Sequence, residues 1–162
     1  MLTLKPLYTP YLESLSANPA AVLAEHPNHA EIAELATEVA TATLDLYAQT
    51  GATEPWLSYF ALRDADNALL GICSFKSPPV QGLVEIAYFT FPGYEAQGVA
   101  SVMARELLKI AFNEYEIQAV LAHTLPEESA STAILRKRGF TLIEALDDPD
   151  DGTIWRWALA RP

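Results

Sequence analysis

The chain has 162 residues, of which 51% are hydrophobic, and its formal net charge is −11 at pH 7. This length suits one domain over residues 1–162. No apolar run reaches the roughly 20 residues of a membrane span, and the first six residues lack a signal-peptide pattern. We therefore expect a cytoplasmic protein without membrane association. The acidic balance argues against nucleic acid as a partner, since its phosphate backbone would be repelled, and it weakly favours a cationic partner.

The N-terminal third predicts one short strand and one long helix. Residues 2–7 fit the strand, and a helix over roughly 30–50, ended by Gly51, is predicted from apolar residues at steps of three and four: Ile32, Leu35, Val39, Ala42 and Leu46. The intervening His26-Pro27-Asn28-His29 has no cysteine or third histidine nearby, so we interpret it as a surface loop and not as a zinc site.

The middle of the chain predicts three consecutive antiparallel strands. They cover residues 56–63, 69–76 and 83–91 and are separated by the turn 64–67 and by Ser77-Pro78-Pro79. The only cysteine, Cys73, lies in the second strand, which excludes an intrachain disulfide and predicts a buried, inert thiol.

The last third alternates helices and strands. We predict a helix over 99–113, a strand over 118–124, a helix over 129–138 stopped by Gly139, and two strands over 140–145 and 153–160. The acidic turn 147–152 between them fails the EF-hand calcium pattern at Pro149 and Ala158, so we interpret it as a solvated hairpin turn. Trp155 and Trp157 fall on one face of the last strand, as core or as pocket wall. This order of elements predicts a mixed α/β domain.

The junction between the third strand of the middle region and the helix at 99 is the most informative segment. The first amides of a helix have no internal partner, and the helix dipole places partial positive charge there, so such an end binds phosphate where small residues let the anion approach. Gly98 and Ala100 meet that requirement. By this evidence alone, ordinary helix packing explains the pattern as well.

Two longer motifs resemble the GNAT superfamily of N-acetyltransferases, and in particular its branch of ribosomal-protein alanine acetyltransferases. The first motif matches the acetyl-CoA turn at Glu95, Gly98 and Ala100, preceded by 85–88 and 92–94. The second motif lies downstream and matches at Glu128, Ser131, Leu135, Lys137, Gly139 and Phe140. The resemblance covers roughly residues 56–157 and implies an α/β fold with a mixed, mostly antiparallel sheet that is splayed in the middle and flanked by helices.

The resemblance also implies acetyl-CoA as co-substrate and a set of binding residues, with no metal. The pantetheine arm would run along Tyr88, Phe89 and Thr90, and Ser131 would lie near its far end. The pyrophosphate would bind the backbone amides of Glu95, Ala96, Gln97, Gly98, Val99, Ala100 and Ser101. Two residues depart from the family pattern: Glu95 replaces an arginine or glutamine and predicts weaker binding, and Glu128 replaces the asparagine that would contact the pantetheine arm.

The same resemblance assigns candidate catalytic groups. Glu85 is the candidate base, directly or through water, with a structural hydrogen bond or acceptor orientation as the alternatives. The amide of Phe89 or Tyr88 is the candidate donor to the developing oxyanion. Leu135 stands where many members have a tyrosine that acts as the general acid towards the leaving thiolate. The remaining candidates for this proton donor are Ser131 and a water, or the thiolate leaves unassisted. The structural alternative for Ser131 is capping of its own helix. His123 lines the acceptor pocket or is a structural histidine.

The sequence therefore predicts transfer of an acetyl group from acetyl-CoA to a primary amine on a small molecule or a protein N-terminus. The acceptor stays open, and a homodimer is compatible with the family. The alternative is a non-catalytic CoA-binding sensor or interaction module, which the residues at 95, 128 and 135 favour.

Overall fold

The computed structural model describes all residues from 1 to 162 and contains one seven-stranded sheet with five helices. The strands are β1 Leu2–Pro6, β2 Ser58–Arg63, β3 Leu69–Phe75, β4 Leu83–Thr90, β5 Ala119–Thr124, β6 Thr141–Asp148 and β7 Gly152–Ala160. The helices are α1 Thr9–Ala17, α2 Pro19–Val22, α3 His29–Thr50, α4 Val99–Asn113 and α5 Ala130–Lys137. The strand order is β1-β2-β3-β4-β5-β7-β6, and every neighbouring pair is antiparallel except β4 and β5. The predicted fold class is confirmed.

The two faces of the sheet carry separate cores because successive residues of a strand point to opposite sides. On β4, Val84 and Ile86 pack into the cluster that includes α4. We call this side the α4 face. The opposite side, the α3 face, carries Glu85, Ala87 and Phe89, and Phe60 and Phe91 pack there against α1 and α3. The base candidate thus lies on the other face of the sheet from α4.

The elements around the middle strands and α4 agree with the sequence prediction, whereas the N-terminal region differs. Helices α1 and α2 were not predicted, since both are short and each has a proline near its first residue. The buried stripe of α3 consists of Ile32, Ala36, Ala40 and Thr43, and Ala42 of the predicted stripe is exposed. Apolar residues at steps of three and four are compatible with two adjacent stripes along the helix. The buried stripe includes Ala36 and Ala40, whose small side chains let α3 pack closely against the sheet.

The segment 26–29 forms a turn, as predicted, but His26 and Asn28 are buried while Pro27 and His29 are exposed, so it is only in part a surface loop. His26 is 1% exposed, and its Nδ1 lies 2.8 Å from the Asn67 carbonyl oxygen. The Asn28 side chain donates to the Leu69 carbonyl at 2.8 Å and accepts from the Leu69 amide at 3.0 Å. These bonds tie the start of α3 to the start of β3, a long-range role that local sequence does not reveal.

The C-terminal hairpin is longer than predicted. Strand β6 continues to Asp148, whose carboxylate accepts the amides of Asp150 and Asp151 at 2.8 and 3.0 Å. These two bonds lower the pKa of Asp148 and close the turn without a metal ion. Trp155 and Trp157 lie on one face, as predicted, with their ring centroids 6.2 Å apart, and Trp157 is fully buried in the core.

Candidate functional site

A wedge opens in the middle of the sheet between β4 and β5. The two strands pair only from Leu83–Ala119 to Glu85–Leu121. Beyond that point each strand keeps its outer neighbour, since β4 pairs with β3 as far as Thr90 and β5 pairs with β7 as far as Thr124. We call the gap between residues 86–90 and 122–124 the wedge. It confirms the predicted splay of the sheet and places Glu85 at its apex.

The backbone of β4 offers unpaired groups to the wedge. The Glu85 carbonyl accepts from the Lys76 amide and the Phe91 amide donates to the Leu70 carbonyl, both at 2.9 Å. Because hydrogen-bonding direction alternates along a strand, odd-numbered residues of β4 bond to β3, and the amides and carbonyls of Tyr88 and Thr90 face the wedge. Of the two predicted oxyanion donors, only the Tyr88 amide therefore points into it.

The turn that enters α4 collects unpaired amides. Residues 95–101 have no hydrogen-bond acceptor for their backbone N–H groups, and the first bond of the helix is from the Val102 amide to the Gly98 carbonyl at 3.1 Å. Ala96 and Gly98 have positive φ angles of 61° and 81°, which turn successive amides to one side. A Cβ added to Gly98 would meet no atom within 4 Å, so nothing crowds the approach of an anion. This donor set fits a diphosphate.

Charged side chains of both signs lie around this turn, and the Arg105 guanidinium is paired with Glu106 at 3.2 Å. The exposed Glu95 carboxylate accepts from the Gly93 amide at 2.8 Å. Arg138 donates to the Ser101 hydroxyl at 2.8 Å, which brings a guanidinium to the first turn of α4. Arg105 lines a cavity of about 310 Å³ together with Gln97 and Gly98.

At the apex of the wedge, Glu85 belongs to a chain of side-chain contacts. Its Oε2 lies 2.9 Å from His123 Nδ1, and His123 Nε2 lies 3.1 Å from Arg156 Nε. Arg156 in turn donates to Glu144 at 3.1 Å. Because an arginine Nε–H can only donate, His123 Nε2 must accept, and the imidazole carries its proton on Nδ1 and donates it to Glu85. The second carboxylate oxygen of Glu85 has no protein partner and is available to a ligand.

The first turn of α5 lies across the wedge from β4. The Tyr88 hydroxyl donates to the Ser131 carbonyl at 3.3 Å, and burial raises the pKa of Tyr88 to about 12, so this hydroxyl is protonated at neutral pH. The structural alternative for Ser131 was wrong, since Ser129 is the N-cap of α5 and forms a capping box with Thr132. Leu135 is fully buried in the core cluster of the α4 face.

Glu128, the second departure from the family pattern, is held on α5. Its carboxylate accepts from Arg136 at 2.7 Å and from the Thr132 hydroxyl at 2.9 Å. The Arg136 bond, followed by the Thr132 bond, lowers the pKa of Glu128. Arg136 also stacks over the Trp157 ring at 4.9 Å. The carboxylate is thus already engaged on the helix.

Sequence reasoning missed three residues that the fold places at the site: Arg138, Arg156 and Lys76. The prediction assigned a role to the Tyr88 backbone and none to its hydroxyl. Arg138 lies in a short basic run at 136–138 that was a visible signal, whereas Arg156 and Lys76 reach Glu85 only through strand register. Cys73 is 1% exposed and burial raises the pKa of its thiol, which confirms the predicted inert residue.

No group of three or more His, Cys, Asp or Glu side chains is arranged to hold a metal ion. None of the five helices combines the length and apolar character that crossing a membrane requires.

Solved structures share this fold at low sequence identity. RimL, a ribosomal L7/L12 alpha-N-protein acetyltransferase in complex with coenzyme A, is 18% identical with a TM-score of 0.67, covering 98% of this chain and 93% of its own. The aminoglycoside acetyltransferase AAC(6')-Ib in complex with coenzyme A is 17% identical with a TM-score of 0.64, covering 99% and 95%. Mutant forms of the spermidine/spermine N-acetyltransferase SpeG from Vibrio cholerae are 13% identical with a TM-score of 0.66, covering 99% and 95%.

These three proteins act on different acceptors, so the likeness concerns the fold and not the substrate. No curated protein matches the sequence. The family model for the acetyltransferase (GNAT) domain matches residues 2–141, which is most of the chain. Together with the splayed sheet and the open turn before α4, this match shows that the chain belongs to the GNAT family of acetyltransferases, which use acetyl-CoA as the acetyl donor.

Proposed function

We propose that this chain is an acetyl-CoA-dependent N-acetyltransferase that acetylates a primary amine. The observation that carries the proposal is the Glu85–His123 contact of 2.9 Å at the apex of the wedge. It leaves one carboxylate oxygen of Glu85 free at the apex of the wedge, which supports a role for this residue where the two substrates would meet. The bound co-substrate supplies a thioester as the activated acetyl group.

The open turn before α4 is the proposed binding site for the diphosphate. The amides of residues 95–101 have no acceptor in the protein, and the nearby guanidinium of Arg138 adds positive charge. The unpaired backbone groups of Tyr88 and Thr90 would bind the pantetheine arm along β4, with Phe89 and Ser131 beside it. In this arrangement most of the rate comes from holding the two reactants together.

Glu85 is the proposed base. An ammonium has no lone pair, so it must first lose a proton, which the free carboxylate oxygen of Glu85 accepts directly or through a water. His123 is a positioning residue: its Nδ1–H fixes the other carboxylate oxygen, and Arg156 fixes the imidazole. The Tyr88 amide faces the place where negative charge develops on the carbonyl oxygen.

The proton and bond changes balance without any further reactant. A nitrogen–carbon bond forms and a carbon–sulfur bond breaks. One proton passes from the ammonium to Glu85 and then to solvent. After the attack the same carboxylate takes the second proton from nitrogen and passes it to solvent, while sulfur gains one proton, so the net release is one proton. The Ser131 hydroxyl and the protonated Tyr88 hydroxyl, which lie at the same helix turn, are the proposed donors to sulfur.

The test compares Glu85→Gln with Glu144→Gln, which removes a carboxylate from the outer end of the same chain of contacts. Thiol release from acetyl-CoA is measured with a panel of amines, and coenzyme A affinity is measured by calorimetry. We expect Glu85→Gln to lower kcat by roughly 100-fold to 1000-fold without changing coenzyme A affinity, in the range of general-base catalysis. Glu144→Gln should retain most of the activity.

Two outcomes would contradict the proposal. Binding of coenzyme A with no turnover on any amine would identify a non-catalytic CoA-binding domain, the alternative that Glu95 keeps open. Equal loss of activity in both variants would remove Glu85 from the role of base.

A further inference from the structure

A cavity of about 280 Å³ lies on the α3 face of the sheet, beside the proposed base. Its apolar walls come from α3, through Val39 and Leu46, and from the sheet, through Ile72 and Ala87. Ala87 is two residues after Glu85 on β4, so both side chains point to the same face. A group whose nitrogen lies at Glu85 can therefore place its remaining atoms in this cavity.

The Thr43 hydroxyl of the wall has no hydrogen-bond partner, whereas the two serines are hydrogen-bonded within the protein. The Ser58 and Ser74 hydroxyls lie 2.7 Å apart, and the Ser58 amide donates to the Tyr47 hydroxyl at 2.8 Å. These groups have little remaining capacity for a charged ligand. The cavity also lies just below the roughly 300–1000 Å³ of sites for drug-sized ligands, which favours a small acceptor.

Lys76 is the only charged residue that lines this cavity, and no carboxylate does. Its amide donates to the Glu85 carbonyl at 2.9 Å, which makes the two residues a directly opposed cross-strand pair with both side chains on the α3 face. They form no ion pair with each other, because Glu85 is turned to His123 and Lys76 has no carboxylate within 4.0 Å. One anionic and one cationic group thus stand side by side without an ion pair between them. The charge of Lys76 also acts on Asp148, whose pKa is lowered first by the Asp150 and Asp151 amides and less by His123 and Lys76.

We infer that the acceptor is a free α-amino acid with a small apolar side chain, an inference that rests on the proposed acetyltransferase function. Its ammonium would bind Glu85, its carboxylate would bind Lys76, and its side chain would fill the cavity. Opposed residues of a sheet have Cβ atoms about 5 Å apart. Two charged side chains at this spacing suit a ligand whose ammonium and carboxylate groups are separated by a single carbon. A polyamine has no carboxylate for Lys76 to bind, and a protein N-terminus has none beside its amine. The local charge pair outweighs the net charge of −11, which by itself favoured a cationic acceptor.

The experiment measures acetylation kinetics of the full chain with acetyl-CoA. The acceptors are L-leucine, L-valine, their amides, spermidine and a short peptide. We expect kcat/KM for leucine to exceed that for leucinamide by roughly tenfold or more, the value of one charge-assisted contact. Lys76→Met should raise KM for leucine by about tenfold and leave leucinamide and the KM for acetyl-CoA unchanged, whereas Lys76→Arg should retain leucine acetylation.

Two further variants separate this role from a general effect of the mutation. Lys109→Met removes a lysine exposed on α4 and should leave all kinetic constants unchanged. Ala87→Leu narrows the cavity and should shift the preference from leucine towards alanine. Better turnover of spermidine or peptide than of any amino acid, or equal kinetics of wild type and Lys76→Met with leucine, would overturn the inference and leave the proposed function intact. Failure to acetylate any amine would overturn both.

Discussion

The two helices that border the wedge begin in opposite ways. At α5 the Ser129 side chain accepts the Thr132 amide, and the Thr132 hydroxyl accepts the Ser129 amide at 2.8 Å. At α4 the N-cap is Gly98, which has no side chain to offer, and the amides before and within the first turn have no acceptor. A helix end that is closed by its own side chains contributes stability, whereas an end left open keeps its donors for a ligand. The contrast supports the proposal that the start of α4 binds the co-substrate, whereas the capped start of α5 stabilises the fold.

The largest expected effect comes from Gly98→Val. At a φ of 81° a β-branched residue is strongly disfavoured, so the turn must rearrange and its amides cease to converge. We expect coenzyme A affinity to fall roughly 100-fold, equivalent to about 2.7 kcal/mol, as measured by calorimetry. The matched control is Gly51→Val at the end of α3, which has a φ of 67° and equally open surroundings. It should cost stability without changing affinity, and equal affinity of the two variants would contradict the role of the α4 turn.

A smaller effect is expected from Ser129→Ala, which opens the capped end. Loss of an N-cap side chain should reduce the free energy of unfolding by about 1 kcal/mol in urea denaturation, with coenzyme A affinity unchanged. Ser131→Ala removes a hydroxyl from the same turn without removing the cap, and should change stability much less. The comparison between the two helix ends fails if Ser131→Ala proves as costly as Ser129→Ala.

The smallest effect is expected from Glu95→Gln at the open end. Removing this exposed negative charge beside the proposed diphosphate site should raise coenzyme A affinity about threefold, a typical size for a surface charge interaction. The gain in affinity should shrink in about 1 M salt, because salt screens the repulsion between the Glu95 carboxylate and the diphosphate. Glu114→Gln, at the far end of the same helix, serves as the control and should bind coenzyme A like wild type. A gain that is independent of salt would point to a different cause.

Much of the fold was predictable where local pattern and tertiary packing agree. The stripe of α4, with Val99, Met103 and Leu107, is strong enough that only one face can be buried. The prediction was right for the bounds of α3 and for its end at Gly51, but it missed part of the buried stripe, where Ala36 and Ala40 are buried and Ala42 is exposed, because alanines give little amphipathic signal. It failed again at His26, whose burial depends on Asn67, a residue 41 positions away.

The candidate site divides in the same way. The residues of the α4 turn and of β4 are contiguous in sequence, so a motif could name them, and their roles remain predictions. The contacts of Glu85 are not contiguous: His123 comes from β5, Arg156 from β7 and Lys76 from the end of β3. A shift of one residue in any of these registers would turn the corresponding side chain to the opposite face.

By itself, the sequence determined the family, the α/β architecture and the position of the open helix end, because each of these depends on short-range patterns of glycine, periodicity and spacing. Only the tertiary structure decided which oxygen of Glu85 is free, which β4 amide faces the wedge, and that Lys76 stands opposite Glu85 beside a largely apolar cavity. Those properties arise from strand pairing between residues far apart in the chain, where hydrogen-bond alternation and register determine the direction of every group.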